Sequence, residues 1–171
     1  MYTIRQERPA DYEDVYQLVK RSFATTAHSD GTEADYLNEL RGKETFIPEL
    51  SLVAEDAEGS IVGQIVLYAT VIATNDGPVT SLVLSPISVR PDRFRQGIAR
   101  AMMDRAFQIA REMGYTAVFL CGESETYHGL GFCASWMFGI FHKDDPRAGW
   151  CMAKELIPGA LEGIRGTIEI V

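Results

Sequence analysis

Residues 79–121 constrain the fold of this 171-residue chain more than any other stretch. Val79 to Val89 reads as an apolar strand. The polar, cationic segment RPDRFRQG follows. Ile98, Met102, Ala106, Ile109, Ala110 and Met113 then mark one face of a helix. Gly114 is a good helix stop, and YTAVFLC at residues 115–121 reads as a second, buried strand. A strand, a helix and a strand in so short a span predict a right-handed crossover joining two parallel strands.

The flanking chain adds antiparallel pieces. Residues 2–7, YTIRQE, alternate as a strand, and Pro9 opens a helix on which Tyr12, Val15, Leu18, Val19 and Phe23 keep helical spacing. TTAHSDG breaks that pattern. A second short helix from Thr32 to about Arg41 buries Ala34, Leu37 and Leu40. Ser51–Asp56 and Ile61–Thr74 read as strands around the turn DAEGS, and NDG supplies hairpin chemistry before residue 79. SWMFGIF and GWCMAKEL predict two more strands. No repeat, low-complexity tract or linker divides the chain, so the expectation is one mixed α/β domain over residues 1–171.

Hydrophobic residues at 46% and charged residues at 23% suit a globular core rather than a disordered chain. A net charge of −8 disfavours nucleic acid as a partner and suits a cationic small molecule or basic peptide. Cys121, Cys133 and Cys151 are an odd set without paired spacing, which argues against a disulfide framework. With His28, His128 and His142 they form no zinc pattern, so no metal is expected. The N-terminal stretch lacks the basic-then-apolar order of a secretory leader, and no apolar run is long enough for a membrane span. These features point to a cytoplasmic protein.

The cationic turn stands out in so acidic a chain. A helix N-terminus exposes unpaired N–H groups and the positive end of the helix dipole, and so attracts anions, phosphates above all. Gly97 allows the backbone close approach to a ligand, and Arg95 and Arg100 add cationic donors. No Gly-Lys-Ser/Thr follows and no G-x-G-x-x-G is present, which excludes the commonest nucleotide loops. The plainer alternative is a solvated loop.

The run LSPISVRPDRFRQGIARAMM resembles the acetyl-CoA-binding segment of the GNAT N-acetyltransferases, whose motif is Gln/Arg-x-x-Gly-x-Gly/Ala. Here it falls on residues 94–99, with Phe94 in place of the first Gln or Arg. GESETYHGLGF resembles that family's Tyr-x-x-x-Gly-Phe stretch, at Tyr127, Gly131 and Phe132. The ending MAKELIPGALEGIRGTIEI is similar to a bacterial subgroup of these acetyltransferases. The resemblance implies a central, mostly antiparallel sheet flanked by helices, with one parallel strand pair splayed near Pro86. It implies acetyl-CoA as co-substrate, with the pyrophosphate held by Arg95, Gln96, Gly97, Ala99 and Arg100. It also implies that Ile87 and Val89 offer backbone groups to the pantetheine arm, with the Ile87 N–H steadying the oxyanion.

The activity implied is acetyl transfer to a primary amine, by direct attack in a ternary complex. Tyr127, protonated at neutral pH, is the candidate general acid for the leaving thiolate. Glu123 is a candidate base acting through water, or one more surface glutamate. His128 is a second candidate base, and His28 with Asp30 could instead line the acceptor pocket, each with a plain surface reading. Cys121 could carry a covalent acetyl group, or be a small residue in a buried strand. The alternative to an enzyme is a catalytically inactive acyl-CoA-binding or sensing module, for which Phe94 leaves room. The acceptor is an amine-bearing small molecule or peptide that the sequence does not name, and a homodimer is plausible.

Overall fold

The computed structural model describes residues 1–24 and 29–170. Its elements are β1 (Thr3–Gln6), α1 (Tyr12–Phe23), α2 (Glu33–Leu40), β2 (Ser51–Glu55), β3 (Ile61–Thr74), β4 (Gly77–Val89) and α3 (Ile98–Glu112). After these come β5 (Ala117–Cys121), α4 (Ser124–His128), β6 (Cys133–Ala134), β7 (Ile140–His142), β8 (Cys151–Glu155) and β9 (Gly166–Ile168). The fold is mixed α/β and mostly antiparallel, as expected, with the parallel pair β4–β5 and a second, short parallel pair β7–β9. The chain divides into two compact units, Met1–Tyr68 with Ser85–Ile109 and Ala69–Leu84 with Ala110–Val171, and β3, β4 and α3 pass from one to the other.

In the first unit β1 pairs with β2, and β2 with β3, all antiparallel. Helices α1 and α2 cover this region because their apolar residues repeat at helical spacing. Val15, Val19, Ala34, Leu37 and Leu40 pack with Val53 and Val66 of the sheet, all under 5% exposed. The rim is closed by ions. Arg41 pairs with Glu7, both side chains are buried, and the guanidinium lies 4.0 Å from the centroid of the Tyr12 ring. Arg5 donates to both oxygens of Asp11, at 2.8 and 2.9 Å.

In the second unit the order is β4-β5-β8-β6. The parallel register of β4 on β5 covers Leu82↔Val118 and Val83↔Phe119. Leu120 and Cys121 take their pairing from Met152 and Cys151 of β8. The ladder thus stops just short of Pro86, where an interruption was expected.

Three local readings need correction. Met113 is 43% exposed beyond the end of α3, and Met103 and Phe107 are buried instead. SWMFGIF is not one strand: Ser135–Phe138 forms a 3-10 turn ended by Gly139 at φ 82°, and only residues 140–142 are extended. The strand expected at 79 begins at Gly77, directly after the Asn75–Asp76 turn.

Candidate functional site

The cationic turn is built as its composition suggested. Pro91–Arg93 makes a single 3-10 turn. Arg95 then adopts φ 63° and Gly97 φ 81°, two left-handed residues that reverse the chain into α3. A Cβ on Gly97 would meet nothing within 4 Å, so the approach to its backbone is open. The first helical bond runs from the Ala101 N–H to the Gly97 carbonyl at 3.0 Å. The N–H groups of Ile98, Ala99 and Arg100 therefore have no helical acceptor, and those of Arg95, Gln96 and Gly97 precede the helix. Ile98 is buried and anchors the turn, whereas Arg95, Gln96, Gly97 and Arg100 are exposed. The arginines divide by role. Arg90 is paired with Asp92 and Arg93 with Asp56. Among the described residues, Arg95 and Arg100 have no ion-pair partner and face solvent.

The end of β4 belongs to the same unit. Arg90 donates its N–H to the Val62 carbonyl at 2.8 Å. In an antiparallel pair such bonds alternate along the strand, so Arg90 and Ser88 point their backbone groups toward β3. Those of Ile87 and Val89 point to the other edge. Gln64, 1% exposed, donates its Nε2 to Ser88 Oγ at 3.0 Å and ties the two strands between these positions.

Tyr127 lies in the second unit, on α4. This five-residue helix is started by Glu123, whose carbonyl accepts the N–H groups of Thr126 (3.1 Å) and Tyr127 (3.2 Å). The phenol ring meets Phe132 edge-on, with centroids 5.9 Å apart. It lies so close over Gly122 that a Cβ there would sit 2.5 Å from Cε2 of the ring. Phe132 is fully buried, and its N–H bonds back to the Tyr127 carbonyl at 3.1 Å. The Tyr-x-x-x-Gly-Phe spacing is thus a closed turn that aims one aromatic residue and buries the other. Burial pushes the Tyr127 phenol above its ordinary value, and the nearby Glu123 carboxylate pushes it further. Among the described residues nothing is hydrogen-bonded to its hydroxyl. A neutral phenol free to donate is what an acid facing a thiolate requires.

The remaining candidates are less engaged. Glu123 and His128 are exposed at opposite ends of α4. Cys121 lies at the end of β5, opposite Cys151 on β8. Its residue surface is exposed, so the packing that raises its thiol to about 12 is partial; the upward direction is what bears on its chemistry. Asp30 caps a local turn through Thr32. His28 lies outside the described residues. Ile87, Val89 and the residues of the turn share one unit, and Tyr127 and Glu123 share the other. Sequence reasoning missed Lys154, whose Nζ donates to the Leu130 carbonyl at 2.9 Å and fastens the turn after Tyr127. It also missed Gly122. Neither carries a local pattern. Among the described residues no cluster of His, Cys, Asp and Glu could hold a metal ion, and no helix is long and apolar enough to cross a membrane.

A family model for the acetyltransferase (GNAT) domain matches residues 3–134. The chain belongs to the GNAT acetyltransferase family, and acetyl transfer is the class of reaction that this membership supports. It is 28% identical over 172 aligned positions to the uncharacterized N-acetyltransferase YhbS of Escherichia coli K12, covering 97% of this chain and 94% of the relative. Its fold is similar to the crystal structure of Escherichia coli YhbS in complex with CoA. That likeness has a TM-score of 0.85 at 24% identity, over 99% of this chain and 89% of the other. It is also similar to a GNAT family acetyltransferase from Brucella melitensis in complex with acetyl-CoA, with a TM-score of 0.79 at 23% identity, over 100% and 96% of the two chains.

Proposed function

We propose that this protein is a single-domain enzyme, over residues 1–171, that moves the acetyl group of acetyl-CoA to a primary amine of a small molecule or peptide. The observation that carries the proposal is the turn at the start of α3, where successive N–H groups lack helical acceptors and two unpaired arginines face solvent. A doubly charged pyrophosphate suits that arrangement. The solved relatives in complex with CoA and acetyl-CoA support the choice of ligand. In this reading Arg95, Gln96, Gly97, Ala99 and Arg100 hold the pyrophosphate. Ile87 and Val89 present backbone groups to the pantetheine arm, in keeping with their direction away from β3.

Acetyl transfer to an amine needs a neutral nucleophile, a polarised thioester and a protonated leaving group. An alkyl ammonium has a pKa of about 10.4, so a base must take its proton. Glu123, through a water molecule, is assigned that part. The Ile87 N–H steadies the oxyanion, and the Tyr127 hydroxyl protonates the departing thiolate. Direct attack in a ternary complex fits better than an acetyl-cysteine intermediate, because the raised pKa of Cys121 leaves little thiolate at neutral pH. The setting is proposed to be the cytoplasm, and a homodimer is compatible with the fold.

The competing reading, an inactive acyl-CoA sensor, needs the turn but not the tyrosine. Release of CoA thiol during a screen of amines separates the two. Turnover with at least one amine is expected, with Tyr127→Phe lowering kcat by about 10²-fold while the Kd for acetyl-CoA stays within about twofold. Unchanged kcat in Tyr127→Phe removes this residue from the chemistry, and no turnover with any amine favours the sensor.

A further inference from the structure

The turn holds a non-glycine residue, Arg95, at φ 63°. Such a conformation is strained for a residue with a Cβ and persists only where the surroundings fix the chain. The structure shows what fixes it. On the N-terminal side Arg93 donates Nη2 to Asp56 Oδ2 at 3.1 Å. On the C-terminal side the Tyr2 hydroxyl donates to Gln96 Oε1. Arg93 Nη1 also reaches the Tyr2 oxygen at 3.4 Å, which joins the two anchors.

Asp56 is suited to its part. Its side chain is 5% exposed. Its Oδ1 accepts the N–H groups of Glu58 and Ser60, at 3.0 and 2.9 Å, so the carboxylate is locked into the turn between β2 and β3 before Arg93 reaches it. Those N–H groups, the Ser60 one foremost, together with the Arg93 charge, hold its carboxyl below the usual carboxylate range. Tyr2 is half-buried and immediately precedes β1. The paired Arg93 is therefore unlike Arg95 and Arg100: its charge is consumed inside the protein.

We infer that Tyr2 and Asp56 are positioning residues for coenzyme A, clamping the turn on either side of Arg95 so that the N–H groups of residues 95–100 stand ready for the pyrophosphate. The inference rests on the proposal that this turn binds coenzyme A. Neither residue is placed to act through its own contact with the ligand: Asp56 would repel it, and Tyr2 is occupied by Gln96.

The test is calorimetric titration with CoA of the wild type, Tyr2→Phe, Asp56→Asn and the double variant, alongside amide hydrogen exchange of the ligand-free proteins. Each single variant should weaken CoA binding about fivefold to tenfold. The double variant should be little worse than the weaker single, because the anchors act as one unit. Exchange should quicken over residues 93–100, with the β2–β3 ladder still protected. Tyr2→Phe removes one hydroxyl and keeps the ring, so it remains informative if Asp56→Asn unfolds. Wild-type binding with an unchanged Kd in Tyr2→Phe and in any folded Asp56→Asn overturns the clamp alone. Absence of wild-type CoA binding overturns the assignment of the turn, and the clamp's role with it.

Discussion

At the scale of single residues the proposed chemistry rests on two exposed cations and one half-buried phenol. Phe94 is the departure from the family motif, and it is 50% exposed at the position where Gln or Arg is expected. Phe94→Arg therefore disturbs no core and adds a third cation beside the turn. It should tighten CoA binding about twofold to fivefold, an effect that fades with added salt; calorimetry at two salt concentrations checks both. An unchanged Kd at low salt would mean that position 94 lies out of reach of the ligand. Much of this scale was legible in the sequence, because the turn and the Tyr-Gly-Phe stretch are short, contiguous motifs. Gly122 was not. Its need to be glycine comes from a ring five residues away folding back over it, which local spacing does not announce. Tyr2 and Asp56 are harder still, separated by 91 and 37 positions from Arg93, which both of them contact.

At the scale of elements the legible parts are those with strong periodicity. The amphipathic α3 and the apolar strands on either side of it were readable because a helical face or a buried strand leaves a pattern over many residues. The three-residue β9 and the five-residue α4 leave none, and the apolar SWMF reads as strand until Gly139 at positive φ is seen to close a 3-10 turn. How the entry to α1 is fixed also escaped the sequence. Asp11 accepts two bonds from Arg5 and one, at 2.7 Å, from the Arg8 N–H. The Arg5 guanidinium, first among these, holds its carboxyl below the ordinary carboxylate range. A carboxyl depressed on folding stabilises the protein fully above its unfolded pKa of about 3.9, and loses that contribution as pH falls through the folded value. Asp11→Asn should thus lower the urea midpoint at pH 7, with the gap to wild type shrinking as acid titrates the folded carboxyl, below the unfolded value of about 3.9. A gap of the same size at pH 7 and pH 2.5 would mean that the charge on Asp11 does not matter.

At the scale of the whole molecule, family membership supports the reaction class, and the turn at the start of α3 is the place proposed for its co-substrate. The acidic surface is consistent with a basic or amine-bearing acceptor, since a net charge of −8 favours cations near the protein. Fold class was readable from the order of elements alone: one strand–helix–strand crossover among antiparallel pieces leaves few topologies. The acceptor was not, because no contiguous motif in the chain names an amine. The measurement that bears most directly on the central claim is calorimetric titration of the protein with acetyl-CoA, run beside ATP. Saturable binding with a Kd on the order of 1–100 µM, with ATP ignored, is the predicted result. Equal binding of ATP and acetyl-CoA, or no binding of either, would contradict the assignment and leave the turn as a solvated loop.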